Sequence, residues 1–328
     1  MNSETIKSFF KRILSSIIVL FLLLTFIFFL VRLAPGDPTQ KFISPKLNPE
    51  LAEQVYKSFG LDQPLYVQYI SYLSNAFTGN LGMSYTYRQP VLSVVGSYFL
   101  FTLLFASLSF ILQLIFGYYL SKAAFKNRGK LLDKILSKLF LFIYSVPSFV
   151  IGVVLIYLFS INLNIFPTSG LKSVYSEENS LWYLMLDYSL HLVLPLITIS
   201  LGGIAIVFKY LKENLISLSK SSFITNLRAL GYKEKVIFNK HLVPNALHPL
   251  ISIAGIEFGS LLSGALITEI IFSLPGMGRL TVNAILNKDF PLVIGCSLVA
   301  GLMMIVSNFI ADIVKIKLDK RLTKHLIN

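Results

Sequence analysis

Cysteine is nearly absent from this chain. The single Cys296 lies inside an apolar run, which excludes a disulfide framework or a cysteine-based metal site within one chain and says nothing about redox compartment. Histidine is scarce as well: His191, His241, His248 and His325 are scattered, with no H-E-x-x-H pair and no G-x-S-x-G elbow. An intramembrane hydrolase needs a nucleophile and base, or paired metal ligands, at helical spacing, and the sequence offers neither. No catalytic or metal-ligating residue is therefore assigned. A G-x-x-x-x-G-K-[ST] phosphate loop is also missing, so ATP has no usual binding device here. Charge is thin, at 14% of residues against the roughly 25% of soluble domains.

What fills the chain is apolar surface. Of 328 residues 55% are hydrophobic, and the mean hydropathy is +0.71, which points to lipid as the solvent. Runs of about 20 residues, the length that crosses the hydrocarbon core, can be marked off six times. They fall near 13–33, 98–121, 135–160, 191–211, 249–272 and 291–313. The first run is too long for a signal peptide, and no small-x-small cleavage site precedes Ala34, so it reads as an uncleaved helix.

The charges settle orientation. On the side holding the N-terminus, 122–138, 209–248 and the C-terminal tail lie 21 of the 29 Lys and Arg. The positive-inside rule makes that side cytoplasmic and puts both termini there. The net charge of +13 is then mostly topology, and a nucleic-acid partner is not expected.

Two loops look built rather than merely connecting. In the outer segment 34–97, Asn48-Pro49-Glu50 opens a helix that Gly60 stops, and Leu65, Tyr69, Tyr72 and Leu73 recur at helical spacing after Pro64, which predicts a small helical cap. In the largest inner loop, Leu218, Phe223, Leu227 and Leu230 predict a helix halting at Gly231. Val236, Ile237 and His241 can share a face of a second short helix, which Pro244 is expected to end. Its alternating lysines suit either an amphipathic helix on anionic lipid or a docking helix for a cytoplasmic partner.

At this point a resemblance enters. Gly231 and Pro244 have the separation of the signature loop of ABC importer membrane subunits, and Arg228-Ala229-Leu230-Gly231 fits the form used in the peptide/nickel branch. Asn226, Leu227, His241 and Val243 depart from that pattern. Glu269-Ile-Ile-Phe-Ser-Leu-Pro275-Gly276-Met-Gly278-Arg279-Leu280, followed by Ala284, Asp289, Pro291, Asn308 and Asp312, resembles the C-terminal pattern of the same branch. Further matches lie at Leu33–Pro38, Gly60–Pro64 and Gly79–Ser84, while Asp319-Lys320-Arg321 departs from the usual Asp-Pro-Arg. The chain thus resembles the peptide/nickel permeases.

The resemblance implies an all-α polytopic fold: six transmembrane helices in a type I (MetI-like) ABC importer core, with an N-terminal extension and extracytoplasmic cap. The expected layout is 1–97 for the first helix and cap, 98–313 for a five-helix core with a coupling loop at 212–248, and 314–328 for a cytoplasmic tail. It further implies a second homologous permease, two cytoplasmic ATPases that hold ATP and Mg, and an extracytoplasmic binding protein that delivers small peptides, nickel or metal chelates. No cofactor is expected on this chain itself. Arg228, Ala229, Gly231, His241 and Pro244 become candidate ATPase-coupling residues, and Glu269, Pro275, Gly276, Gly278 and Arg279 a candidate outer gate. A channel or ion-coupled carrier would share six spans but leave the signature loop unexplained.

The fifth run holds two further features. Gly255, Gly259, Ser260 and Gly264 repeat small residues and predict a close helix seam. Glu257 stands where the family leads one to expect Gln; it is either a pathway-lining charge for cationic substrates or a protonated, hydrogen-bonded structural acid. Arg279 is expected to anchor its turn, with Asp289 as a candidate partner.

Overall fold

The computed structural model describes residues 3–33, 63–173 and 180–318. The helix expected from Asn48 to Gly60, the motif matches at 34–38 and 60–62, and Asp319–Arg321 lie outside the described residues. The described residues are helical apart from turns and one isolated antiparallel bridge, Met83 to Pro90. In chain order the helices are α1 Ser3–Leu33, α2 Leu65–Thr78, α3 Val91–Lys126, α4 Leu131–Ser145, α5 Ser148–Leu155, α6 Leu181–Ser219, α7 Ser222–Ala229, α8 Val243–Leu262, α9 Leu266–Ile271, α10 Met277–Leu286 and α11 Phe290–Leu318. Wide π-helical turns follow α5, over Ile156–Asn162, and precede α8, over Ile237–Leu242.

Among the described residues four stretches are long and apolar enough to cross a bilayer: Val91–Lys126, Leu181–Ser219, Glu234–Ile271 and Phe290–Lys317. A fifth is formed if α4 and the helix after it count as one span. The sixth span expected from sequence rests on the shorter apolar stretch Leu14–Leu30 of α1.

The third apolar run is not one straight rod. Its two halves, Leu131–Ser145 and Ser148–Asn162, meet at a bend of 103°. Val146, just before Pro147, is extended at φ −90° and ψ 128°, the geometry that a following proline ring favours. Pro195, by contrast, sits inside an unbroken α6.

The chain forms two compact units, one of Met1–Leu100 with Leu280–Leu302 and one of Phe101–Arg279 with Met303–Asn328. In the first, α2 lies on α1 through aromatic contacts: Phe28 is 5.2 Å from Tyr69 and 5.3 Å from Tyr72 between ring centroids. Thr25 and Tyr69 share a hydroxyl hydrogen bond of 2.7 Å, and burial, with Tyr69 nearby, pushes the Tyr72 phenol up to about 12. Expected apolar position Leu65 is instead half exposed. After Gly79 the chain turns back on itself, with Ser84 N–H donating to Gln89 O and Val91 N–H to Gly82 O.

In the second unit α3 and α6 pack closely because glycines remove side-chain bulk at the crossing. A Cβ on Gly117 would come within 2.5 Å of Val207, and one on Gly203 within 2.1 Å of the Gln113 amide. Ser109 and Ser200 bridge α3 and α6 with a 3.0 Å hydrogen bond, and Lys212 of α6 pairs with Asp133 of α4 beside Ser137.

Candidate functional site

The inner loop folds as a corner. α7 ends in paired reverse hydrogen bonds, Tyr232 N–H to Leu227 O at 3.2 Å and Gly231 N–H to Arg228 O at 2.9 Å. That pattern requires a left-handed residue, and Gly231 supplies it at φ +81°. A Cβ there would meet nothing within 4 Å, so backbone conformation and not crowding selects glycine. Across the corner Arg228 Nε donates to Glu234 Oε1 at 2.6 Å, a bond that raises the guanidinium pKa above its ordinary value.

Beyond the corner the chain does not stop at Pro244, in contrast to the sequence expectation. One turn, Glu234–Val236, leads through the π turn directly into α8. A proline in a helix lacks a donor and its ring crowds the carbonyl four residues back. Here it stands in the first turn of α8, just after a widened stretch in which Val243 N–H reaches five residues back to Phe238 O, so both penalties are eased. The loop and the following span are therefore one continuous piece.

The corner is rooted in a buried cluster. Leu211, Leu215, Ile224, Ile237, Leu242 and Ala246 pack together, with Leu218, Leu227 and Phe238 against them. Of the stripe read from sequence, Leu218 and Leu227 face this core, whereas Phe223 is 39% and Leu230 74% exposed. Ala229, Gly231 and Tyr232 are exposed beside them, and His241 stacks edge-on to Tyr232 at 6.1 Å. Exposed apolar residues at the corner thus sit beside a buried base. Leu230 belongs to the predicted stripe, but its exposure, like that of Tyr232, has no signal in the sequence: a periodic stripe does not say whether it meets a core or a partner.

The second constellation surrounds Glu269. Its side chain is fully buried and accepts from Ala265 N–H at 3.0 Å and Arg279 N–H at 2.9 Å, with Gly278 N–H a further donor. Gly276 and Gly278 are glycines because the carboxylate and the α9 backbone occupy the space of a side chain: a Cβ at Gly276 would lie 2.3 Å from Glu269 Cδ, and one at Gly278 2.6 Å from Leu266 Cα. Pro275 lies within the same turn, between Leu274, whose N–H bonds Glu269 O, and Gly276. Met277 N–H donates to Thr102 Oγ1 at 2.8 Å, a tie with no signal in the sequence.

Arg279 does not take the partner expected of it. Its guanidinium donates to Ser273 O at 2.6 Å. Asp289, buried, accepts instead from Ser84 Oγ at 2.6 Å and Thr86 N–H at 2.8 Å, joining two segments that the sequence showed only as separate motifs.

Glu257 lies partly buried in α8 and makes no hydrogen bond or ion pair among the described residues. On the same helix Gly255 and Gly259 meet α11, where Cβ atoms would come within 2.4 Å of Ala311 and 2.7 Å of Met304 Sδ. That contact is a packing seam of the small-residue type.

Residues 113–324 match the family model of the binding-protein-dependent transport system inner membrane component, and residues 5–106 match that of its N-terminal region. The chain belongs to this family. Among its relatives, the dipeptide transport system permease DppB of Lactococcus lactis is 33% identical over 96% of this chain and 99% of its own length. The oligopeptide permease AppB of Bacillus subtilis is 30% identical over 95% and 98%, and the glutathione permease GsiC of Escherichia coli O6:H1 is 31% identical over 92% and 94%. The solved MetNI methionine ABC transporter, inward facing, overlays with a TM-score of 0.48 at 14% identity, covering 72% of this chain and 97% of that one. This permease is thus a multi-pass membrane subunit of an ABC importer of the peptide/nickel family, a transport subunit whose ATPase is a separate partner.

Proposed function

We propose that this permease, paired with a second homologous permease, forms the pathway by which an extracytoplasmic binding protein's cargo of small peptides crosses the cytoplasmic membrane. Two cytoplasmic ATPases, holding ATP and Mg, supply the energy, and both termini of this chain lie on their side. The single observation supporting peptides is that relatives matched over nine-tenths or more of both lengths are named for dipeptide, oligopeptide and glutathione transport. Nickel or a metal chelate is the second reading, carried by the family resemblance alone. Uptake of labelled dipeptide and of labelled nickel, compared in a strain lacking this chain and in the same strain complemented with it, separates them. Restoration of nickel uptake without peptide uptake overturns the peptide reading.

In this reading the 212–248 loop carries force. Arg228, Ala229, Gly231, His241 and Pro244 belong to a corner that seats in an ATPase, with Phe223, Leu230 and Tyr232 as its apolar contact surface. A lever must be stiff, and the buried cluster beneath the corner and its continuity with α8 supply stiffness. At the opposite end of the same stretch, Glu269, Pro275, Gly276, Gly278 and Arg279 hold the outer gate, and Glu257 lines the pathway between them. The layout 1–97, 98–313 and 314–328, with its extracytoplasmic cap, belongs to the same proposal.

A further inference from the structure

One feature of the second unit has no part in that reading. A groove of about 610 Å³ runs between α3, α6, α8 and α11, walled by Leu114, Tyr118, Leu211, Ile251, Ala254 and Ile310. Its lining is almost wholly apolar, with Leu114 and Ile310 open to the outside. Every helix that forms it is one of the four long enough to cross a bilayer. Polar cargo would find few partners there; hydrocarbon would find many.

One end of the groove is cationic. Tyr118, Lys122 and Lys126 follow each other at four-residue spacing on α3 and so share one face. Lys122 Nζ donates to the hydroxyl of the lining residue Tyr118 at 2.9 Å and sits 4.5 Å from that ring's centroid. Lys122 and Lys126 also lie 5.6 and 5.2 Å from the Phe238 ring. Neither ammonium forms an ion pair among the described residues. Two like charges one turn apart repel unless an anion lies between them. An apolar trough ending at two unpaired cations, one of them a single hydrogen bond from its wall, complements an amphiphile with a negative head.

We infer that this groove holds an acyl chain of an anionic phospholipid, whose phosphate is bound by Lys122 and Lys126. The charge pattern selects against a zwitterionic lipid, in which a choline cation would meet the same two ammonium groups. The occupant is independent of the transported substrate, so the inference stands or falls apart from the peptide reading.

The test uses the transporter purified with its accompanying subunits in nanodiscs of phosphatidylcholine with a minor share of phosphatidylglycerol carrying a photoreactive acyl chain. Crosslinks are expected on the peptides bearing Leu114, Ile251 and Ala254. Labelling should fall about fivefold for each of Lys122→Gln and Lys126→Gln. Lys122→Arg should retain it, and Ala254→Phe should reduce it by filling the groove. Photoreactive phosphatidylcholine should label weakly. Equal labelling by both lipids, or labelling indifferent to the lysine changes, overturns the inference. So does an Ile115→Cys variant, altered at a further lining residue, that crosslinks to another subunit with no lipid labelling, which would make the groove a protein interface.

Discussion

The carboxylate of Glu269 rests directly on Gly276, so close that a methyl group there would come within 2.3 Å of Glu269 Cδ. Acid and glycine are seven residues apart in a segment that sequence reading can only call a turn. Together they explain how a buried acid is accommodated: backbone N–H groups of Ala265, Gly278 and Arg279 converge on its oxygens.

Glu269→Ala leaves those donors buried and unmatched, at about 1–3 kcal/mol for each group left unsatisfied. A fall in melting temperature of the detergent-solubilised protein is expected. Gly276→Ala, made alone, forces the carboxyl group aside and should cost ~1–3 kcal/mol. Wild-type melting temperatures in both variants would show that the turn is held by something else.

The corner at Gly231 should respond to backbone shape and not to size. Gly231→Ala has open space for its methyl but must adopt a left-handed conformation, a strain of roughly 1–2 kcal/mol. Gly231→Pro is excluded from that conformation and loses the N–H that bonds Arg228 O. The expected result is normal insertion with uptake of labelled substrate lost in Gly231→Pro while the ATPases still hydrolyse ATP, and partial loss in Gly231→Ala. Ala229→Trp, exposed at the tip, should uncouple without destabilising; normal uptake by that variant counts heavily against a coupling role.

Enlarging the seam between α8 and α11 tests packing. Gly255→Leu or Gly259→Leu must displace Ala311 or Met304, and each should lower thermal stability by more than the ~1–3 kcal/mol typical of overpacking. Exposed Ile256 on the same helix is the control: Ile256→Leu should change the melting temperature little.

Glu257 gives a selectivity test. Since it has no partner among the described residues, Glu257→Gln should leave stability near wild type while slowing uptake of a cationic peptide relative to a neutral one. Unchanged relative rates for the two peptides would remove Glu257 from the pathway.

How far these features can be read from sequence depends on whether they are local. Gly231 and the Glu269 turn are local: a glycine after an apolar stripe and an acid a fixed distance from Pro-Gly-x-Gly carry their own geometry. The joining of Ser84 to Asp289 is not, because 205 residues separate them and neither type demands the other. Prolines were the least legible. Pro147 breaks its span and Pro195 does not, so a proline in an apolar run does not by itself say whether the helix ends there. Pro244 misleads for another reason, since a widened turn ahead of it accommodates what an ordinary helix refuses. Exposure of Leu230 was hidden because hydropathy records appetite for apolar contact without naming the partner.

That widened turn has a geometric corollary. A stretch wound with five-residue spacing accommodates one residue more than the α-helix on either side, while the flanking faces stay in phase. Removing a single residue between Ile237 and Leu242 would tighten the winding and shorten the shaft without rotating the elbow. The fixed separation of Gly231 from Pro244 in the signature loop therefore constrains the length of the shaft.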